Sequence, residues 1–441
     1  MTSATNHNSN GSSHEQRPRV ALLVNTVTPY RNYVHQRIVD ELPEIELWSL
    51  YTHDNSYNRW SNITAPDSIR PVSFSGGEPI NEKVKLRFAA REWRKAGRII
   101  RWLKENNIAA VVCEGLGNVG LLRVLRWCSR NNVPCLLYGD FNGRGDRARG
   151  LRRQFKKLIY GRGIGWASAV MPCGEYGKEL FDNYGGKSKP LFWYPYISNP
   201  AEFEHAKPEA LDRVRARFDF LRSDRRRIVV PGRMMRVKRH DLAIGALAAL
   251  AEERPNWELV FIGDGALREQ TEKSVPNAIA DRVHFCGFLD NPDDVSAVFA
   301  SSDVMLLPSD HEPWGMVMME AALAGLAIVA TDVVGAAPEL VKPGRNGATF
   351  PVGDLDALVD VLRETTDEMS VEQRGAESRK VFYEWLAGSD PVQGLAQGLS
   401  HFGVLPSGES KHPPSHSPAD ETAAGHLASK PPPLVSAANN T

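Results

Sequence analysis

The chain has 441 residues, with 53 basic and 53 acidic side chains, and its formal net charge at pH 7 is +0. This length is enough for two core-bearing domains and a tail, and the balanced charge argues against a nucleic-acid partner. No apolar run approaches the roughly 18 residues that span a bilayer, and residues 1–16 lack the apolar core of a secretion signal. We therefore expect a cytoplasmic protein.

The cysteines are few and scattered along the chain. They are Cys113, Cys128, Cys135, Cys173 and Cys286. An odd number without a C-x-x-C pair indicates reduced thiols rather than a disulfide framework or a zinc site. No metal site is therefore expected.

Short apolar runs that alternate with helix-like segments predict an α/β domain over residues 19–200. Residues 1–18 are polar and are predicted to be disordered. The run 20–24 is typical of a buried strand, and the loop 25–31 follows it. Ligands gather at the carboxyl ends of strands in such sheets, so this loop is expected to border a cleft.

Two basic segments lie in the first half, at residues 83–104 and 144–162. Both interleave Lys and Arg with large apolar residues, a pattern that favours contact with an anionic membrane surface or a lipid-phosphate acceptor. The alternative is two solvated helices whose apolar faces pack on the sheet. Peripheral contact at the inner membrane face is therefore kept as a hypothesis.

A G-x-G-x-x-G motif follows the predicted strand 109–113. Its glycines are Gly115, Gly117 and Gly120, and Asp140 follows the next strand at the distance expected for a ribose-binding acid. This pattern taken alone would predict NAD binding and an oxidoreductase. It does not stand in the first βα unit of its domain, which weakens that interpretation.

The second half begins after an extended, proline-containing linker near residues 191–200 and is predicted to form a second α/β domain, residues 201–375. Gly232, Arg233 and Lys238 follow the predicted strand 227–230. Two cations at the carboxyl end of a strand suit a pyrophosphate, whose charge grows when it leaves.

The most informative stretch is 309–347, which is typical of strand end, loop, helix, strand and loop. Glu312 precedes the helix and Glu320 lies within it, which places the two carboxylates on the order of 8–10 Å apart along one wall. The helix N-terminal amides of Gly315, Met316 and Val317 suit a phosphate. A pyrophosphate flanked by hydroxylated rings, as in a nucleotide-sugar, would match this arrangement. The alternative is an amphipathic helix with two solvated carboxylates.

An ordered set of residues in this stretch resembles the donor-binding signature of retaining GT-B glycosyltransferases, and more narrowly of glycosyltransferase family 4 (glycosyl transferases group 1). The matching residues are Glu312, Pro313, Gly315, Glu320, Ala321, Gly325, Thr331, Gly335, Glu339, Gly344, Asn346 and Gly347. The resemblance is strongest over residues 227–354. It implies an α/β protein of the GT-B fold, with two Rossmann-like domains that face each other across a cleft.

The resemblance also implies roles for particular residues. Arg233 and Lys238 would hold the diphosphate of the donor. Glu320 would accept hydrogen bonds from the ribose hydroxyls, and Glu312 would lie beside the donor sugar. The turn at Gly265 would approach the nucleotide, and backbone groups near Phe288 would contact the base. In the first domain, Arg31 or Tyr30 would stand in for a glycine-rich loop, and Glu114 or Asn118 for a sugar-contacting His or Asp. Tyr30 in a packed proline turn is the alternative there.

These features predict a transferase that moves a sugar from a nucleotide-diphospho-sugar to a carbohydrate or lipid-linked hydroxyl, with retention, in polysaccharide or glycolipid biosynthesis. No cofactor or metal is expected to be required, because Arg233, Lys238 and helix amides can supply the positive field. An NAD-dependent oxidoreductase and a non-catalytic nucleotide-sugar-binding subunit are the alternatives. Residues 376–404 are expected to be helices that return to the first domain, and residues 405–441 a disordered tail.

Overall fold

The structure, a computed structural model, describes residues 17–54, 63–77, 88–146, 148–367 and 369–406. The ends predicted to be disordered therefore lie mostly outside the described residues, as does the start of the basic segment 83–104. Four residues assigned to those ends are described, namely Arg17, Pro18, Leu405 and Pro406. The Pro18 carbonyl accepts from the Glu46 N–H at 2.9 Å, and Leu405 is buried.

The first domain is a six-stranded parallel sheet covered by helices. Its strands are β1 Arg19–Val24, β2 Glu46–Tyr51, β3 Pro71–Ser73, β4 Ile108–Glu114, β5 Cys135–Gly139 and β6 Ala169–Pro172. Its helices are α1 Pro29–Glu41, α2 Ala89–Glu105, α3 Val119–Arg130, α4 Gly150–Trp166 and α5 Glu175–Asn183. The spatial order is β3-β2-β1-β4-β5-β6, so the order reverses between β1 and β4.

The second domain repeats this plan. Its strands are β7 Arg226–Pro231, β8 Trp257–Ile262, β9 Val283–Gly287, β10 Val304–Leu307, β11 Ala327–Thr331 and β12 Gly347–Phe350. Its helices are α6 Pro200–Phe203, α7 Pro208–Arg217, α8 His240–Ala249, α9 Arg268–Lys273, α10 Pro292–Ala300, α11 Met316–Leu323, α12 Ala337–Leu340 and α13 Leu355–Thr365. The order is β12-β11-β10-β7-β8-β9, with the reversal between β7 and β10.

The strands are short, continuous apolar runs because helices cover both faces of each sheet. All four residues of β10 and all five residues of β11 are buried. Parallel strands need long right-handed crossovers, and the helices between strands supply them. The pattern of apolar runs and helical segments read from the sequence therefore corresponds to two doubly wound sheets, which confirms the predicted fold class.

The two domains share one buried core. Residues of the linker, Tyr194, Tyr196 and Ile197, pack in the same apolar cluster as Val20 of the first sheet and Val229 of the second. Burial of this continuous apolar surface opposes separation of the domains. Loops at the carboxyl ends of the two sheets also meet, because Asn142 after β5 donates to the Glu312 carbonyl after β10.

The last two helices join the domains a second time. Helix α14, Val371–Ser389, packs on α11 and β11 of the second domain, and α15, Pro391–His401, lies against α1 of the first. Asp390 accepts from the first N–H groups of α15 and forms an ion pair with Arg37 at 2.8 Å. Among the described residues, no helix combines the length and apolarity that a membrane span requires.

Gly394 on α15 should be essential for this second junction. A Cβ at this position would collide with the Trp193 carbonyl, so Gly394→Ala must push the helix off the first domain. We expect a loss of about 2–3 kcal/mol in the free energy of unfolding, measured by urea denaturation.

Gly388→Ala on α14 is the matched control, because nothing lies within 4 Å of its Cβ position. It should be neutral or stabilise by about 0.5–1 kcal/mol, as glycine is a poor helix former. Equal effects of the two substitutions would contradict the packing of α15 described above.

Candidate functional site

The loops that follow β7 and β10 meet at the centre of the second sheet. The two strands are neighbours although two other strands come between them in the sequence, so the strand order reverses here. Loops on either side of such a reversal diverge and open a crevice, where α/β sheets bind ligands. The β7 loop carries Arg233 and Lys238, and the β10 loop carries Glu312. The topology therefore places the three residues predicted for catalysis at one crevice.

Glycines form the floor of this crevice. A Cβ at Gly263 would collide with the Gly232 carbonyl, and one at Gly265 would collide with the Met234 carbonyl. The backbones after β7 and β8 therefore pack directly on each other. This close approach gives the predicted Gly265 turn a structural reason and leaves backbone groups, rather than side chains, at the crevice.

Lys238 and Glu312 form an ion pair in the crevice. The Lys238 ammonium donates to the Glu312 carboxylate, and the side chains are 17% and 19% exposed. Arg233 is exposed, and within the described ranges no hydrogen bond or ion pair engages its guanidinium. The crevice thus holds one cation paired with an acid and one cation open to an incoming anion.

Helix α11 begins at the rim of the crevice. Gly315 precedes it in the left-handed region, with φ 98°, and a Cβ there would approach Val334 Cγ1 to 3.0 Å. This turn directs the start of α11 toward the loop that bears Glu312. The first N–H groups of a helix have no partner within it, so those of Met316 and Val317 suit an anion.

Glu320 lies on α11, where the linker between the domains passes. Its carboxylate accepts from the Ser198 hydroxyl at 3.1 Å. Burial raises the pKa of the Glu320 carboxyl to about 7, and nearby Glu202 acts in the same direction, while the Ser198 hydrogen bond opposes it. Ligand hydroxyls that donate to this carboxyl would favour its ionised form.

Phe288 follows β9, which lies at the opposite edge of the sheet from β12. Its side chain is partly exposed. The predicted contacts therefore extend across the sheet, from Glu312 after β10, through the β7 loop, to Phe288 after β9. This span suits an extended ligand with chemically distinct parts.

Arg31 and Glu114 lie at the reversal point of the first sheet and form a buried ion pair. The Glu114 carboxylate also accepts from the Asn25 N–H at 2.9 Å and from the Tyr196 hydroxyl at 2.7 Å, and Arg31 donates to the Thr26 carbonyl at 2.8 Å. The two residues therefore bind each other and fix the loop after β1. A substrate contact by either one stays a prediction.

Asn118 is held apart from this pair. Its side-chain oxygen caps α3 by accepting from the Leu121 N–H at 2.9 Å, and its side-chain amide donates to Glu92 at 3.3 Å. The structure therefore gives Asn118 a local role in starting α3. Its proposed contact with a sugar also stays a prediction.

Asn142 is a residue at the site whose role was not foreseen. From the first domain, its amide donates to the Glu312 carbonyl at 2.9 Å and to the Val333 carbonyl at 2.8 Å. Trp314, also in the Glu312 loop, donates from its indole to the Tyr196 carbonyl at 3.0 Å. The position of Asn142 in a loop after β5 was a weak signal, and its partners were not visible.

Glu339 and Tyr176 add two further contacts between the domains. A Glu339 carboxylate oxygen accepts from the Glu175 N–H at 2.7 Å, at the start of α5. Burial raises the pKa of Glu339 to about 7. The Tyr176 hydroxyl donates to the Asp332 carbonyl at 2.9 Å. Glu339 belongs to the motif read from the sequence, but its partner in the other domain does not.

The two facing α/β domains and the crevice correspond to the GT-B fold. Residues 212–380 match the family described as glycosyl transferases group 1. The chain therefore carries a glycosyl transferases group 1 domain on a GT-B fold. This confirms the resemblance to group 1 and to the GT-B fold that residues 312–347 indicated.

Curated proteins are similar in sequence to part of this chain. A 2-deoxystreptamine glucosyltransferase from Streptomyces kanamyceticus is 32% identical over 203 residues, which are 45% of this chain and 50% of that protein. The chain spans about half or less of the length of the first curated relatives that it matches.

Two solved structures share the fold at low sequence identity. HepE from Anabaena, in complex with UDP and glucose, has a TM-score of 0.64 and 16% identity, covering 88% of this chain and 100% of that one. Sucrose-phosphate synthase from Thermosynechococcus elongatus has a TM-score of 0.68 and 17% identity, covering 88% and 99%. At these identities the likeness concerns the fold alone.

The raised pKa values of Glu320 and Glu339 predict a pH dependence of stability. Between about pH 4.5 and 7 the unfolded chain has released these protons while the folded protein retains them. The free energy of unfolding should therefore fall as pH rises through this window, by up to about 1.4 kcal/mol per pH unit for each carboxyl. Urea denaturation at several pH values measures the slope.

Glu320→Gln and Glu339→Gln should each flatten this slope. Glu253→Gln is the control, because Arg363 lowers the pKa of this surface carboxyl and keeps its titration below the window. A slope that neither buried substitution changes would show that these carboxyls titrate normally.

Proposed function

We propose that this chain is a retaining glycosyltransferase, which transfers a sugar from a nucleotide-diphospho-sugar to a hydroxyl acceptor. The observation that carries the proposal is the crevice between β7 and β10, where the Lys238–Glu312 ion pair shares its loops with the exposed Arg233 and lies before the start of α11, the helix that also carries Glu320. The similarity to a structure with bound UDP and glucose supports a nucleotide-sugar donor. Retention follows from the resemblance to glycosyltransferase family 4.

The diphosphate is the part of the donor that the crevice suits best. Its negative charge would pair with the open guanidinium of Arg233 and would draw Lys238 away from Glu312. The N-terminal amides of α11 would complete this anion site. Donor binding therefore exchanges an internal ion pair for contacts with phosphate, and the exchange releases the Glu312 carboxylate toward the sugar.

The ends of the donor would meet the two carboxyls. Glu320 would accept hydrogen bonds from the ribose, while backbone groups near Gly265 and Phe288 would contact the base. Glu312 would orient the sugar and stabilise positive charge that develops at its anomeric carbon. Arg233 and Lys238 would stabilise the leaving diphosphate as its charge grows in the transition state. No residue is assigned as a covalent nucleophile.

Helix α4 suggests where a lipid-linked acceptor would be met. Leu151, Phe155 and Leu158 are 89%, 64% and 54% exposed, and their spacing places them on one stripe of the helix. The neighbouring residues Arg152 and Arg153 are also exposed. An exposed apolar stripe flanked by cations suits an anionic membrane surface, so we place the peripheral contact of this proposal at α4.

Helix α2 fits the alternative interpretation of the basic segments, in which the apolar face of a solvated helix packs on the sheet. Its Ile99 and Leu103 are buried against the first sheet, and Lys95 is buried with Glu92 in an ion pair at 3.2 Å. The apolar residues of α2 are therefore largely used in packing. The acceptor itself is proposed only as a carbohydrate or lipid-linked hydroxyl of polysaccharide or glycolipid biosynthesis.

Binding of the donor tests the proposal first. Purified protein should be stabilised in a thermal-shift screen by one of UDP, GDP or ADP or by its sugar conjugate. Arg233→Ala and Glu320→Gln should each weaken that binding by about tenfold or more, because each removes a direct contact. Arg222→Ala, a surface arginine of the same domain that pairs with Asp219, is the matched control and should bind normally.

Turnover separates the remaining alternatives. Hydrolysis or transfer of the stabilising nucleotide-sugar, lost in Glu312→Gln, would establish an enzyme, and the anomeric configuration of the product tests retention. Binding without turnover toward any hydroxyl acceptor would favour a non-catalytic subunit. Stabilisation by NAD(H) alone, untouched by Arg233→Ala, would transfer the function to the Gly115–Gly120 loop and refute the proposal.

The membrane contact has its own test. The protein should sediment with vesicles that contain anionic phosphatidylglycerol and not with neutral phosphatidylcholine vesicles. Replacing both Phe155 and Leu158 with Ser should weaken this binding by about tenfold or more, because the inserted apolar surface is lost. Met369→Ser, which alters another highly exposed apolar residue, should leave it unchanged. Equal sedimentation of all variants would argue against α4.

A further inference from the structure

A second concave site lies where the two domains and helix α14 meet. Its volume is about 440 Å³, and ligand sites of proteins have volumes of about 300–1,000 Å³. One wall comes from the start of α5, a second from α12 and the residues after it, and a third from α14. Trp193 of the linker completes the lining. We refer to this site as the junction groove.

The junction groove is separate from the donor crevice. Glu312, Lys238 and Glu320 do not line it. Trp314, which belongs to the Glu312 loop, packs behind the groove with its ring centroid 5.9 Å from that of Trp385. One side chain thus connects the two sites. A ligand in the groove would contact residues of both domains at once.

Two tryptophans supply flat apolar surfaces in the junction groove. Trp193 and Trp385 are each partly exposed and line it. Indole rings combine a large apolar face with a polar N–H at the edge. Such surfaces complement a ring that has apolar C–H faces and polar groups at its rim.

Glu339 supplies an unpartnered polar atom. Its side chain lines the groove, and the residue is only 7% exposed. Its Oε1 accepts from the Glu175 N–H, whereas its Oε2 is buried and has no hydrogen-bond partner among the described residues. Leaving a buried polar atom unpaired costs free energy, so this oxygen calls for a hydroxyl or another hydrogen-bonding group.

The other charged groups of the groove are mostly acidic. Glu384 pairs with Arg345 at 2.6 Å, and Lys342 donates to the Pro338 carbonyl at 2.7 Å. Glu175 adds a further carboxylate to the lining. The lining residues thus include three carboxyls and one ammonium, a balance that disfavours phosphate and other anions.

We propose that the junction groove binds a pyranose ring of a saccharide, at a site separate from the donor crevice. The indoles of Trp193 and Trp385 would contact the apolar faces of the ring, and Glu339 would accept from one of its hydroxyls. The saccharide is either a distal unit of a glycan acceptor or a glycan that binds independently. The two sources share the chemistry that this groove recognises.

The experiment measures binding of neutral saccharides to the full chain by saturation-transfer NMR and titration. The probes are maltotriose, chitotriose and mannotriose, each with and without the nucleotide that stabilises the protein. Trp193→Ala and Glu339→Gln should weaken binding of the recognised saccharide by about tenfold, since each removes a contact in the groove. Trp93→Ala, which removes an exposed tryptophan on α2, is the matched control and should bind as the parent does.

Two measurements distinguish failure of saccharide binding from failure of the proposed glycosyltransferase function. Nucleotide binding should be unchanged in Trp193→Ala, and thermal unfolding checks that each variant is folded. Saccharide binding that requires the nucleotide indicates an acceptor end, and binding without it indicates an independent glycan. Failure of every probe to bind overturns the proposal, as does equal binding by Trp193→Ala and the parent. Tetramethylammonium is the probe for the alternative that the tryptophans and carboxyls bind an organic cation. Binding of this ion and of no saccharide also overturns the proposal.

Discussion

The attachment of the Glu312 loop to the opposite domain is the constraint on which the site depends. A single side-chain amide, that of Asn142, donates to the carbonyls of Glu312 and Val333. These carbonyls belong to the loops after β10 and β11, and backbone groups at a buried junction must find partners. Because one amide nitrogen carries two hydrogens, Asn142 can hold both loops at the same time. The first domain therefore fixes the position of a residue that the second domain contributes.

Two carboxyls at separate points of the boundary between the domains couple protonation to the contact between them. Burial raises the pKa values of Glu320 and Glu339 to about 7. Glu320 accepts from Ser198 of the linker, and Glu339 accepts from the backbone of Glu175 in the first domain. Ionising either carboxyl while it is buried costs free energy, and separation of the domains would relieve that cost. At this boundary, ligand binding, protonation of the two carboxyls and the relative position of the domains consequently affect one another.

At the strand-order reversal of the first sheet, the residues of this chain differ from those of the family that it resembles. Related enzymes have a glycine-rich loop and a His or Asp there, for which Arg31 or Tyr30 and Glu114 or Asn118 were expected to stand in. The structure has a buried Arg31–Glu114 ion pair, enclosed by Tyr30 and Tyr196. Removing one partner of such a pair leaves an uncompensated buried charge, so the residues stabilise the loop as a unit. The strongest sequence match lies in the second domain instead, where residues 212–380 fit the family.

The sequence by itself determined the α/β class, the two domains and the Glu312–Glu320 motif, because these follow from short-range periodicity, helix starts and local spacing. It also located Arg233 and Lys238 at the end of one strand. Only the tertiary structure decided which distant residues meet. Asn142 and Glu312 are 170 positions apart, and Arg31 and Glu114 are 83 apart. Contacts of this kind depend on strand order and on the approach of two domains, which no local pattern encodes.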